Sequence, residues 1–257
     1  MIKNITLLIL INTLFCITTG FELANLIDSR IKPANLMSNN TMTIINKKGR
    51  EKTLELKTKS KDNNKRQMIW FLSPPDDRGM SFLKIENEDK DDLMKMWFPG
   101  FKKLRRISSS KKSDSFMGSD LSFEDLTNRN LNDYKYKLIS ANELCEYKNE
   151  EIPCFALESI PNIKSGYSKH ITWAIKLNKT YLAIKEHSFD NESNLLKIKT
   201  IEFIEKITDT SNYYIMNKLN VENIQKNTST SLIVNNIEIN LDVKDSDFND
   251  MNLKRLP

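Results

Sequence analysis

Alternation of apolar and polar residues at every second position dominates the chain and predicts β-strands. The alternating segments are short, turn sequences such as Asn46-Lys47-Lys48-Gly49 separate them, and no long helical segment lies between them. The predicted strands cover residues 41–44, 53–58, 66–72, 80–86, 93–98, 102–107, 134–141, 154–159, 169–177, 181–188, 195–207, 213–221 and 229–239. This pattern is typical of one large antiparallel sheet, either a sandwich or a barrel.

Two segments depart from the alternation. Apolar residues at helical spacing predict a short amphipathic helix over residues 21–27, which ends before Lys32-Pro33. Residues 107–132 form a long insertion between strands, and we interpret it as a lid or plug that contains a short helix. The insertion carries too many apolar side chains for a disordered loop, namely Phe116, Met117, Leu121, Phe123 and Leu126.

The first twenty residues have the pattern of a secretory signal peptide. Lys3 is their only charge, and residues 5–17 form an apolar stretch too short to span a bilayer comfortably. We therefore predict export, cleavage near Gly20 and a single mature domain over residues 21–257. A retained N-terminal anchor stays open, and so does lipidation at Cys16, although Phe15 stands where a lipoprotein cleavage site has a small residue.

Export changes the interpretation of the cysteines. With Cys16 removed, Cys145 and Cys154 remain, and an even pair in an oxidising compartment predicts a disulfide that joins a hairpin. A zinc site formed with His170 and His187 is the alternative, but the spacing matches no finger or ribbon. We predict no metal site.

Composition and net charge exclude some classes of function but do not identify one. Hydrophobic residues make up 39% and charged residues 28% of the 257 residues, so a packed core is feasible. The net charge of +5 is too modest to indicate nucleic-acid binding. A basic run is either a docking surface for an acidic partner or anionic lipid head groups, or a solvated strand face and loop; its residues are Lys102, Lys103, Arg105, Arg106, Lys111 and Lys112.

The sequence gives little support to an enzyme. Only His170 and His187 are available as general bases at neutral pH. The chain lacks the Gly-x-Ser-x-Gly elbow, the His-Glu-x-x-His motif and a phosphate-binding glycine loop. A pair of glycosidase-type carboxylates stays open because acidic residues are abundant. We predict neither catalytic residues nor a cofactor.

Five short motifs carry a resemblance to a known family, and the similarity extends over nearly the whole mature chain. They are Phe71-Leu72-Ser73-Pro74 with Gly79, Trp97-Phe98-Pro99 with the basic residues 102–107, Ser108-Ser109-Ser110 leading to Phe116-Met117-Gly118-Ser119-Asp120, Phe123-Glu124-Asp125-Leu126, and Ser165-Gly166-Tyr167-Ser168-Lys169. In this order they resemble outer-membrane lipoprotein-sorting proteins of the LolA-like superfamily. The resemblance implies an incompletely closed antiparallel β-barrel whose concave apolar face is covered by helices and loops.

The resemblance also implies a function. It implies a periplasmic, monomeric lipid-binding chaperone that uses no cofactor and shields acyl chains in an apolar concave cavity during lipoprotein sorting and outer-membrane biogenesis. An inner-membrane transporter would be the donor and an outer-membrane protein the acceptor. An envelope-stress sensor or accessory protein of the same fold, acting through a membrane-anchored partner or transporter, is the alternative.

Apolar residues at alternating strand positions are the candidate cavity lining. Methionine suits such a cavity because its side chain is unbranched and adaptable. The alternative is that these residues form an ordinary sheet core. The candidates are Met42, Ile44, Leu54, Leu56, Met68, Trp70, Phe82, Met94, Met96 and Trp173.

Overall fold

The structure is a computed structural model that describes residue 17 and residues 19–88, 90–208 and 211–257. Most of the predicted signal peptide, including Cys16, lies outside the described residues. The strands are β1 (Asn35–Ile45), β2 (Glu51–Lys61), β3 (Arg66–Ser73), β4 (Ser81–Ile85), β5 (Leu93–Phe98), β6 (Lys103–Ile107), β7 (Tyr134–Tyr147), β8 (Glu150–Pro161), β9 (Lys169–Leu177), β10 (Thr180–Phe189), β11 (Leu195–Ile207), β12 (Asn212–Asn223) and β13 (Thr228–Ile239). The helices are α1 (Gly20–Asp28) and α2 (Asp250–Leu253).

Every predicted strand is present, and the described strands form one antiparallel sheet. The strand order is β6-β5-β4-β3-β2-β1-β13-β12-β11-β10-β9-β8-β7. The edge strands β6 and β7 do not pair with each other, so the curved sheet is an incompletely closed barrel. The predicted lid, residues 107–132, connects these two edges and contains only short 3₁₀ turns, at Ser109–Lys111, Glu124–Leu126 and Leu131–Asp133 at its end.

The pairing register assigns the alternating side chains to one concave face. Residues directly opposite each other on paired strands share a face. Met96 pairs with Phe82, which pairs with Ile69, and at the other end of the sheet Lys199 pairs with Glu186. Residues of β5 and β12, which are far apart in the sheet order, pack in one cluster on this face. The alternation predicted from the sequence therefore produces a continuous inner surface.

The helix α1 covers the inner surface near β7, β8 and β10. Its Leu23 and Ala24 are buried there, and the Thr19 hydroxyl accepts a hydrogen bond from the Glu22 backbone N–H at 3.1 Å, which caps the helix. A Cβ added to Gly20 would lie only 2.6 Å from the Lys137 backbone nitrogen. The predicted cleavage position at Gly20 therefore falls inside a packed element.

The C-terminal segment covers the opposite, convex face of the sheet. Val243, Phe248 and Leu253 are buried there against residues of β3 and β4. The Trp70 indole N–H donates to the Asn252 carbonyl oxygen at 3.3 Å. Strand β3 is therefore buried on both of its faces, by the lid on one side and by the C-terminal segment on the other.

The predicted disulfide is present between Cys145 on β7 and Cys154 on β8. It joins the two strands of the long hairpin that forms one edge of the sheet. No helix in the described ranges has both the length and the apolar character needed to cross a membrane.

Candidate functional site

The concave face and the lid over it form the candidate site. One part of this face, formed by β1–β5, β12 and β13, is apolar, and we call it the apolar half. Three lid side chains, Phe116, Leu121 and Phe123, are buried in it. The Phe116 ring lies 5.3 Å from that of Phe82 and 5.7 Å from that of Phe123, centroid to centroid. The lid therefore fills the apolar half with its own aromatic side chains.

A tight turn directs these side chains inward. Met117 and Gly118 both have positive φ, 53° and 77°, and reverse the chain between two short segments. The Phe116 backbone N–H donates to the Leu121 carbonyl oxygen at 2.7 Å, which closes the turn. The lid residues Met117 and Leu126 pack partly buried at the margin of the same cluster.

The structure brings together seven of the ten candidate cavity residues in the apolar half. Six are buried in one cluster and the seventh packs against it. All seven contact lid side chains or one another, so their role in binding acyl chains stays a prediction. The seven are Met42, Ile44, Leu54, Leu56, Phe82, Met94 and Met96.

The prediction of one shared surface is wrong for the other three. Met68 and Trp70 lie on the convex face under the C-terminal segment, because Ile69 and Phe71 are the residues of β3 that face the lid. Trp173 packs in a separate cluster with the disulfide, and its ring lies 4.7 Å from that of His187.

The part of the concave face formed by β8–β11 is charged and hydroxylated, and we call it the charged half. Asp125 of the lid is fully buried on it. Its carboxylate accepts hydrogen bonds from Lys199 at 2.5 Å, Lys197 at 3.0 Å and the Tyr167 hydroxyl at 2.8 Å. One lid carboxylate is thus held by three side chains from the sheet and the β8–β9 loop.

A second buried ion pair lies beside Asp125. Arg129, at the end of the lid, donates to both oxygens of Glu186, at 2.5 and 2.9 Å. Lys199 also contacts Glu186, at 3.2 Å, so the two carboxylates share one lysine. The neutral ring of His170 lies next to this pair, with Nδ1 2.9 Å from the Ser188 hydroxyl.

Burial and neighbouring charge set the ionisation of this network. Burial opposes ionisation of Asp125, but Lys199 and Lys197 hold the pKa of its carboxyl far below the ordinary value. Arg129 and Lys199 likewise keep the pKa of Glu186 low despite burial. Burial, reinforced by Arg129, lowers the pKa of His170 to about 3. Both carboxylates are charged and the histidine is neutral at pH 7.

Two further contacts fasten the lid. Glu124 accepts hydrogen bonds from the Ser165 hydroxyl at 2.5 Å and from the Gly166 backbone N–H at 2.9 Å. A Cβ at Gly166 would lie 2.9 Å from the Ser113 Cβ, so any larger residue at position 166 would require the β8–β9 loop and the lid to move slightly apart. At the other side Asp120 accepts from Thr230 at 2.8 Å.

A cleft of about 1180 Å³ is lined by both ends of the lid, the segment after α1, the β4–β5 connection and the β8–β9 loop. Charged and polar groups dominate its walls, including Arg30, Lys112, Asn128, Arg129 and Tyr134. Lys84, which is fully buried, donates to the Leu126 carbonyl oxygen at 2.6 Å. The existing opening is polar, and the apolar half is reached only if the lid moves.

Sequence reasoning missed the charged half. The signal was present, because Lys197 and Lys199 alternate on a predicted strand, as do Glu186 and Ser188. An inward-facing strand position normally carries an apolar residue, and charged residues there need partners. The motif residues Glu124, Asp125 and Tyr167 contribute to the family resemblance, but the sequence assigns them no structural role.

Comparison with known proteins agrees with this architecture. The family model that matches residues 63–255 carries the description "Uncharacterized protein", and the chain belongs to that family. No curated protein sequence matches the chain.

Several solved structures are similar to this chain over most of its length. An outer membrane lipoprotein-sorting protein domain from Vibrio parahaemolyticus is 26% identical, with a TM-score of 0.81 over 92% of this chain and 98% of that one. A DUF1329 family protein from Desulfovibrio piger is 27% identical, with a TM-score of 0.79 over 91% of this chain and 97% of that one. A LolA superfamily protein from Nitrosomonas europaea shares the fold at 17% identity, with a TM-score of 0.69 over 92% and 100%. The resemblance to outer-membrane lipoprotein-sorting proteins is confirmed, and the LolA superfamily protein confirms the predicted fold.

Proposed function

We propose that this protein is a periplasmic carrier that shields the acyl chains of a lipid or lipoprotein in the apolar half while the cargo passes between the inner and outer membranes. One observation carries the proposal. The apolar half of a curved sheet is filled by the side chains of a separate segment, and the rings of Phe116 and Phe123 take the space that acyl chains would need.

Acyl chains that replace the lid side chains would bury again the apolar surface that opening the lid exposes. Opening the lid would expose the apolar surface of Phe116, Leu121 and Phe123 together with that of the sheet. An inserted acyl chain would restore burial, at about 0.8 kcal/mol for each methylene. The methionines Met94 and Met96 can adapt their side chains to a flexible ligand.

The charged half would hold the empty carrier closed. Opening the lid separates Asp125 from Lys197 and Lys199, and water must then solvate all three charges. We propose that an inner-membrane transporter supplies the free energy that opens the lid. An outer-membrane acceptor would then bind the cargo more tightly than the carrier does. This sequence of events uses no cofactor.

Export by a cleaved signal peptide belongs to the same proposal. Because Thr19 caps α1 and Gly20 packs against β7, we propose that the mature chain retains both residues. Intact mass measurement of protein from the periplasm tests this. A mature chain that begins at Phe21 would contradict the retention of Thr19, and a mass that includes Met1 would contradict cleavage.

A reversible lock on the lid tests the carrier function. Cysteines at positions 113 and 166 would be close enough for a disulfide after a small shift of the loop. We expect oxidised Ser113→Cys/Gly166→Cys protein to take up no fluorescent fatty acid, and mild reduction to restore uptake. The wild type under the same reductant controls for reduction of Cys145–Cys154.

A pair of methionine variants tests where the acyl chain lies. Met96 lies in the apolar half and Met68 on the convex face, and both are buried. We expect Met96→Gln to weaken fatty-acid uptake and Met68→Gln to leave it unchanged, with circular dichroism confirming the β-structure of both. Equal uptake by the two methionine variants, or uptake by the oxidised Ser113→Cys/Gly166→Cys protein, would contradict the proposed site.

A further inference from the structure

Three hairpin turns lie side by side at one end of the sheet. They join β1 to β2, β3 to β4 and β5 to β6. Lys52, at the start of β2, forms an ion pair of 2.6 Å with Asp77 in the β3–β4 turn. A Cβ at Gly79 would lie 3.4 Å from the Pro99 ring in the β5–β6 turn. The three turns therefore form one continuous surface, which together with β6 we call the basic end.

The basic end carries an excess of unpaired positive charge. Within the described part of the chain, eight of its exposed cations have no carboxylate within ion-pair distance, whereas many other lysines are paired. Only Glu51 and Asp76 add exposed negative charge to the turns. The eight cations are Lys47, Lys48, Arg50, Arg78, Lys102, Lys103, Arg105 and Arg106.

A large aromatic side chain projects from this surface. Phe101 is 74% exposed, at the end of the short 3₁₀ turn Pro99–Phe101. Lys102 and Lys103 follow it directly, and Arg105 lies over the ring of Phe98. An exposed aromatic ring with cations next to it in the chain is an arrangement with which proteins enter the head-group region of an anionic bilayer.

We propose that the basic end binds the surface of an anionic phospholipid membrane, with Phe101 inserted among the head groups. The cations extend over three turns and both faces of the edge strand β6, since Arg105 lies opposite Met96 and Arg106 opposite Lys95, and they do not line a groove. This shape fits a broad, fluid anionic surface better than a protein segment. The chain passes from the β5–β6 turn through β6 directly into the lid, so membrane binding would bring the lid near the bilayer.

Co-sedimentation with vesicles tests the proposal on the mature chain. We expect binding to vesicles of phosphatidylglycerol mixed with phosphatidylcholine and none to phosphatidylcholine alone. Lys102→Glu/Lys103→Glu should weaken binding about tenfold or more. The matched control is Lys135→Glu/Lys137→Glu, which reverses two exposed lysines on the opposite edge strand β7 and should bind like the wild type.

The aromatic side chain has its own test. Phe101→Ser should weaken binding several-fold and abolish the quenching of a fluorophore at position 101 by lipid-attached quenchers. Equal binding to both vesicle types, or equal loss in the β7 control, would overturn the proposal, as would capture of an acidic protein without vesicle binding. Fatty-acid uptake should stay unchanged in all these variants, so failure here is distinguishable from failure of the carrier function.

Discussion

The two halves of the concave face bury the same lid by different means. In the apolar half, Phe116 and Phe123 pack on methionine, leucine and phenylalanine side chains. In the charged half, Asp125 and Arg129 form hydrogen-bonded ion pairs with lysine and glutamate. Apolar packing is strong but tolerates many arrangements, whereas a buried ion pair is satisfied only in one geometry. The apolar half thus supplies much of the energy of closure, and the charged half defines where the lid lies.

Removing an aromatic ring from the apolar half gives the largest expected effect. Phe116 is fully buried among aromatic rings, so Phe116→Ala should lower the free energy of unfolding by about 3–5 kcal/mol, measured by urea denaturation. Phe101→Ala, at an exposed site, should cost much less. Similar values for the two variants would mean that the lid does not pack on the sheet in solution.

Removing one charge from the charged half should cost nearly as much. Asp125→Asn leaves Lys197 and Lys199 buried without their shared carboxylate, and we expect a loss of about 3 kcal/mol. Asp114→Asn, which breaks an exposed pair with Lys111, should cost less than about 1 kcal/mol. If the two variants are equally stable, the charged half contributes nothing to closure.

Acidification should distinguish the contributions of the two halves to stability, because the titrating side chain, His170, lies in the charged half. His170 has a folded-state pKa of about 3, below the ordinary value of about 6.5, so the unfolded chain takes up a proton that the folded chain refuses. Stability is therefore lost as the pH falls below about 6.5, by about 2 kcal/mol between pH 6.5 and 5. Asp125 and Glu186 stay ionised in this window.

The pH dependence of urea denaturation measures this effect. His170→Asn should flatten the profile between pH 6.5 and 5. His187→Asn is the control, because His187 is only partly buried and should leave most of the slope in place. A slope that survives in His170→Asn would place the titrating group elsewhere.

The strands were predictable from the sequence because alternation marks a sheet with a buried inner face. The choice of face on β3 was not. Residues 68–71 are all buried, so apolar side chains occupy both faces and the alternation disappears. The C-terminal segment that covers Met68 and Trp70 is almost two hundred residues away in the chain, and no local pattern records that contact.

The lid was predictable as an apolar insertion that needed a packing partner, but its partners were not. Asp125 and Glu124 look like ordinary surface acids in the sequence, and Lys197 and Lys199 like a solvated strand edge. Only the structure brings them together, because the lid crosses the sheet to reach strands that follow it in the chain.

Local alternation, composition and the predicted compartment were enough to predict the thirteen strands of the described residues, the apolar insertion and the cysteine pair. Which face each strand turns inward and which charges are buried are evident only in the folded sheet. These depend on the curvature of one sheet that brings distant strands around a single insertion, and burial in that space converts ordinary charged residues into an obligatory network.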